Sequence, residues 1–126
     1  MSLDTDKFVK HLRGKAVGKS RGQCARSVRI ALQAGGAKLG KHPEHAREYG
    51  PTLRRIGYSE IVVENPDTYK FMKGDIVVIQ PYTNGNKSGH IAAYDGKEWI
   101  SDFVQKDFWS GPLYRKHKPN HAFYRP

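Results

Sequence analysis

"GDIVVIQPYTNGNKSGHIAAYDGKEWISDF" occupies residues 74–103 and turns the chain from one kind of pattern to another. Residues 74–80, 89–94 and 98–103 are β-branched and aromatic runs, and Asp95-Gly96 between the last two is a strong hairpin signal. Ile61-Val62-Val63 reads as an earlier strand, and residues 121–125, "HAFYR", as a last one able to close the sheet. Before Tyr58 the pattern is helical. Helices first and antiparallel strands after them predict an α+β fold rather than a parallel βαβ arrangement.

The helices have recognisable starts and stops. Residues 4–13 form the first, with Asp4 as its cap and Phe8, Val9 and Leu12 on one side. Residues 24–34 form the clearest: Cys24, Val28, Ala31 and Leu32 line one stripe, Arg26, Arg29 and Gln33 lie off it, and Gly35-Gly36 end it. A shorter helix is expected over 43–49, broken by Gly50-Pro51 before "TLRRIGY" makes another turn or two. Between the first two helices, "GKAVGKSRG" is a basic, glycine-punctuated loop. No repeat, linker or low-complexity tract divides the chain, so residues 1–126 are expected to form one domain.

At 37% hydrophobic and 27% charged, the chain has a globular composition. No apolar run approaches the roughly 18 residues of a membrane span. The N-terminal stretch shows no apolar core of a secretory signal. Synthesis in the cytoplasm without a cleaved leader is therefore the expectation. Twenty-two Lys and Arg against twelve Asp and Glu give a formal charge of +10, which steers the protein toward polyanions. Nucleic acid, anionic membrane and the carboxylate-rich peptides of a bacterial cell wall all qualify.

One cysteine excludes an internal disulfide and raises the question of its chemistry. Cys24 opens a helix, where free amides and the helix dipole favour a thiolate and can stabilise an oxyanion. The competing reading is a buried cysteine acting as a small hydrophobe on the Val28 stripe. A nucleophile needs a base. Among six histidines, His11, His42, His45, His117 and His121 lie in polar or basic stretches and are expected to be solvated, whereas His90 begins an apolar strand directly after a glycine.

A catalytic imidazole also needs an orienting partner, and Ser101-Asp102 on the returning strand offers two. A two-residue turn at Asp95-Gly96 puts Ser101 opposite His90; a glycine bulge shifts the pairing and brings Asp102 to the His90 face. Asp102 is preferred, because a carboxylate stabilises an imidazolium better than a hydroxyl does. His42/His45 and His117/His121 have the spacings of metal ligands, but no obvious fourth ligand completes a zinc set, so no metal or other cofactor is expected.

"GQCARSVRIAL", "MKGDIVVIQP" and "SGHIAAYDGKEWISDF", in that order, resemble the papain-like cell-wall hydrolases of the CHAP and NlpC/P60 type. The resemblance covers residues 22–103 and includes "AREYGPTLRRIGY" between the motifs. It implies a papain-like fold in which Cys24 is the nucleophile, His90 the base and Asp102 the orienting residue, while Asp75 is structural. It also implies hydrolysis of amide bonds in peptidoglycan. Small members include phage lysins and amidase toxins that type VI secretion systems deliver into a rival's periplasm, the latter with a cognate immunity protein.

One departure stands out. Papain-type proteases carry an oxyanion-hole glutamine a little upstream of the cysteine, where this chain has Gly18. Gln23 and Ser20 are weak candidates to replace it. The rival reading from another class is a nucleic-acid-binding module, carried by Trp109, Tyr114 and Tyr124 among basic residues near the C-terminus. Packing of those aromatics into the core is the alternative for that stretch. A third reading is a papain-like domain that binds without catalysis.

Overall fold

A computed structural model of the chain describes residues 3–19 and 22–126. Two antiparallel-packed helices come first, α1 (Thr5–Lys15) and α2 (Cys24–Ala34). Asp4 caps α1 by accepting a hydrogen bond from the Lys7 N–H at 3.0 Å, and Phe8, Val9 and Leu12 are its buried face. At the end of α2, Gly36 takes the left-handed conformation (φ 100°), and the Ala37 N–H reaches back to the Leu32 carbonyl at 3.0 Å.

The middle of the chain departs from expectation. In place of a helix over 43–49, a single 3₁₀ turn, Ala46–Glu48, runs into α3 (Tyr49–Arg55). Gly50-Pro51 does not break this helix. Pro51 lies in its first turn, where the backbone N–H has no intrahelical acceptor and proline costs little.

Five strands follow: β1 (Ser59–Ile61), β2 (Ile76–Ile79), β3 (His90–Tyr94), β4 (Trp99–Ile100) and β5 (His121–Arg125), with a short helix α4 (Pro112–His117) before the last. They form one antiparallel sheet in the order β1-β5-β2-β3-β4. The last strand therefore does not close the sheet at an edge but enters between β1 and β2. The fold is α+β, with the helices gathered against a sheet.

Both faces of the sheet are covered, and β2 shows why its sequence is an uninterrupted apolar run. Ile76 and Val78 face the helices and share a core with Phe8, Leu12, Val28 and Leu32; Val77 and Ile79 face the other way, onto Trp99, Phe108 and Phe123. Side chains alternate across a strand, so a strand covered twice needs apolar residues at every position. Trp109 and Tyr124 are buried in these cores as well. Two of the three aromatics that would have stacked on nucleic-acid bases are thus spent on packing.

The fully buried Asp75 ties the sheet together. Its carboxylate takes a two-pronged ion pair from Arg125 on β5, at 2.9 and 2.7 Å, and accepts the Met72 N–H at 2.8 Å. The pair raises the Arg125 pKa further above its ordinary value. Next to it, the Tyr58 hydroxyl donates to the Gly74 carbonyl at 2.8 Å.

Removing Arg125 leaves a buried carboxylate short of its counter-charge. Arg125→Ala is expected to cost about 3–5 kcal/mol, read as a lower denaturant midpoint at unchanged m-value. A loss below about 1 kcal/mol, the range of surface pairs, would show that Asp75 does not depend on Arg125.

Candidate active site

Cys24 is the first residue of α2, so the sequence reading of this helix start holds in the fold. The preceding Gln23 sits at the cap position with φ −126° and ψ 32°, and its side chain makes no capping bond. The cap comes from elsewhere in the chain: Asp102 Oδ2 accepts the Gln23 N–H at 3.1 Å. A carboxylate at this end also complements the helix dipole.

The thiol is half-buried at the rim of a cleft of about 550 Å³. Burial pushes its pKa up; the Ile91 N–H works against this, and the Asp102 charge adds to the rise. The expectation of a depressed thiol pKa is therefore corrected. Desolvation and a neighbouring carboxylate outweigh what the helix start provides and favour the thiol form.

His90 opens β3 on the same cleft. The glycine before it is required: Gly89 has φ 72°, and a Cβ there would meet the Ile79 carbonyl oxygen at 2.3 Å and Arg47 Cβ at 3.0 Å. The imidazole is buried, and its Nε2 lies 2.7 Å from Gln105 Oε1. The Gln105 amide nitrogen is itself committed, donating to the Asp107 carbonyl at 2.9 Å. Its oxygen must then accept, which puts the proton on His90 Nε2 and leaves Nδ1 as the acceptor nitrogen. Burial lowers the His90 pKa, against the opposing effects of the Gln105 bond and the Asp102 charge.

The side chain bonded to the imidazole is Gln105 rather than the expected Asp102. The hairpin adopts neither of the two registers considered above. Asp95 Oδ1 accepts the Lys97 and Glu98 N–H groups at 2.9 and 2.8 Å, opening a four-residue turn that pairs Tyr94 with Trp99. Arg13 clamps that turn through Asp95 and Glu98 at 2.5 and 2.8 Å.

Regular pairing ends at Ile100. The chain then folds back, bridging Ile100 to Val104 and sending the Gln105 N–H to the Trp99 carbonyl at 2.8 Å. That reversal carries Gln105 to the imidazole and Asp102 to the start of α2. Ser101 donates to Asp102 Oδ1 at 3.3 Å. Among the described residues, the buried polar and charged side chains are Thr52, Asp75, His90, Ser101, Asp102 and Gln105, and the last four gather at this site.

The two weak candidates for an oxyanion donor fare differently. Gln23 lines the cleft and gives its backbone N–H to Asp102; Ser20 lies outside the described residues. Of the other histidines, His42, His117 and His121 are exposed, as expected, while His11 and His45 are half-buried. His45 Nδ1 meets Ser88 Oγ at 2.8 Å, His42 Nε2 meets Arg29 at 2.9 Å, His117 stacks on Tyr82 at 4.8 Å, and His121 packs edge-on against Trp109 at 4.9 Å. Among the described residues, no three His, Cys, Asp or Glu side chains converge as a metal-binding group. No helix among them is long and apolar enough to cross a membrane.

Two residues of the site carried no signal in the sequence reading. Gln105 is a lone amide in "FVQKDFW", and Tyr114 was grouped with the basic, aromatic tail. Both belong to one braced segment. Gln105 holds the Asp107 carbonyl, and the Asp107 carboxylate takes Arg115 of α4 in a two-pronged pair at 2.8 and 3.0 Å. Tyr114, the neighbour of Arg115, lines the cleft with its ring 6.0 Å from that of His90.

No protein-family model matches the chain, and no curated protein sequence does. Solved structures do. Over 97% of its length the chain is similar to a chain of the native type VI effector–immunity complex Tae3–Tai3 from Ralstonia pickettii, at 37% identity and a TM-score of 0.84, with 98% of that chain covered. The selenomethionine form of the complex gives 38% identity and a TM-score of 0.81, covering 94% of this chain and 99% of the other. With this identity over nearly the whole of both chains, the protein belongs to the family of the type VI effector Tae3.

Proposed function

We propose that this chain is a type VI effector that hydrolyses amide bonds in bacterial peptidoglycan, with Cys24 as nucleophile. One observation carries the chemistry: Cys24 at a helix start and the His90 imidazole, bonded behind to the buried Gln105, line a single cleft. Nucleophile, base and an orienter on the base's far nitrogen are the parts of a cysteine hydrolase. The arrangement resembles that of papain-like enzymes of the CHAP and NlpC/P60 type, and this reading gives Gln105 the role first expected of Asp102. Likeness to Tae3 favours a toxin over a phage lysin, and a cognate immunity protein is its natural partner. The site of action is then the wall of a target cell.

The steps follow from the protonation states. His90 Nδ1 takes the thiol proton as Sγ adds to the amide carbonyl, and the imidazolium is held by Gln105 Oε1 with the Asp102 charge nearby. Collapse of the adduct expels the amine, which takes the proton from His90. Water, activated by the same nitrogen, then hydrolyses the thioester. The net charge of +10 draws the enzyme to a wall rich in carboxylates.

Gram-negative sacculi incubated with the protein, finished with a muramidase and read by mass spectrometry, should yield new fragments whose masses name the bond. Cys24→Ala should give none, and His90→Ala should lower the rate by about 10²–10⁴-fold. Unchanged sacculi with the wild type would rule the amidase out, and nucleic-acid binding would be the next property to test.

The pH profile gives a second test. His90 acts only when neutral, and burial lowers its pKa, so activity should persist as pH falls past the ordinary histidine value of about 6.5. The Asp102 charge holds that pKa up, so Asp102→Asn should move the acid limb of kcat/KM to still lower pH. A limb that moved upward would contradict this placing of Asp102.

A further inference from the structure

An amide hydrolase needs donors for the oxygen that becomes negative when the nucleophile adds. The Cys24 backbone N–H, in the first turn of α2, supplies one. Where papain-type enzymes place a side-chain amide, this chain has Gly18, which carries none. Among the cleft-lining side chains, Ser88 is paired with His45, whereas Arg26 and Gln23 are exposed. Tyr114 differs from these. Its ring is fixed between His90, at 6.0 Å, and an edge-on Tyr82, at 4.9 Å, on a helix braced by the Asp107–Arg115 pair. Ser110, just before that helix, holds a left-handed φ of 72°, a strained turn that starts α4 at the cleft wall.

We infer that the Tyr114 hydroxyl donates the second hydrogen bond to the oxyanion, alongside the Cys24 N–H. As the Sγ–C bond forms, the carbonyl π pair moves onto oxygen and the thiol proton goes to His90 Nδ1. Tyr114 keeps its own proton throughout and gives up the extra bond when the C–N bond breaks. Burial, and negative charge on Cys24 and Tyr82 when they ionise, push the phenol up to about 12, so it remains a donor across the working range. Tyr49 also senses the Cys24 charge, but it is buried in the helix-side core and does not line the cleft. The inference rests on the amide-hydrolase reading above.

The test is Tyr114→Phe, which keeps the ring packing and removes only the hydroxyl. On a soluble wall peptide that the wild type cleaves, kcat should fall by about 10²–10³-fold with KM little changed. The rate at which iodoacetamide alkylates Cys24 should stay at the wild-type value, because that reaction forms no oxyanion. An unchanged kcat, or a rise in KM alone, would overturn the inference and make Tyr114 a binding wall. A parallel loss of alkylation would overturn it too, showing that Tyr114 acts through the thiol. Wild-type protein that cleaves neither sacculi nor peptide would overturn the hydrolase reading and this inference with it.

Discussion

The bond from the Gln23 amide to Asp102 is the constraint on which the site depends. It joins the start of the nucleophile helix to the segment that follows β4, parts of the chain 79 residues apart. The stripe Val28, Ala31 and Leu32 seats α2 on Ile91 and Ala93 of β3, but an apolar stripe alone leaves a helix free to slide. A directional, charged hydrogen bond at the first turn fixes where the helix begins, and hence where the thiol lies relative to His90.

The same carboxylate has an electrostatic cost. A negative charge at the start of α2 stabilises the helix and opposes a thiolate at the same place. Together with burial it raises the Cys24 pKa, while burial lowers that of His90. Both shifts favour an uncharged resting pair, in which charge separates when a substrate carbonyl is there to receive the sulfur. Such a site depends on its base rather than on a preformed ion pair. That explains why the imidazole has a buried amide partner that is itself held on both sides, Oε1 on His90 and Nε2 on the Asp107 carbonyl.

Much of this was legible in the chain. Helical stripes and β-branched runs gave α1, α2 and four of the five strands, whereas the strand expected at Ile61-Val62-Val63 lies at Ser59–Ile61 and leaves Val62 exposed; position within those elements singled out Cys24 and His90. What escaped was set by tertiary contacts. The hairpin register turned on Asp95 bonding its own turn and on Arg13 holding it, and neither is visible in a two-residue turn signal. Because the register differed, Asp102 went to the helix start and Gln105 to the imidazole. Pro51 looked like a breaker only because α3 was expected to end before it rather than begin there. The aromatic tail was ambiguous until β5 entered the middle of the sheet and drew Phe123 and Tyr124 into the cores.

The central claim is that His90 rests as a neutral imidazole with its proton on Nε2, bonded to Gln105. Nitrogen-15 NMR of the histidine rings, with His90 assigned by substitution, tests it most directly. The expected result is a neutral Nε2–H tautomer at neutral pH that persists below the ordinary histidine pKa of about 6.5. An Nδ1–H tautomer, or an imidazolium that persists above neutrality beside a Cys24 thiolate, would contradict it.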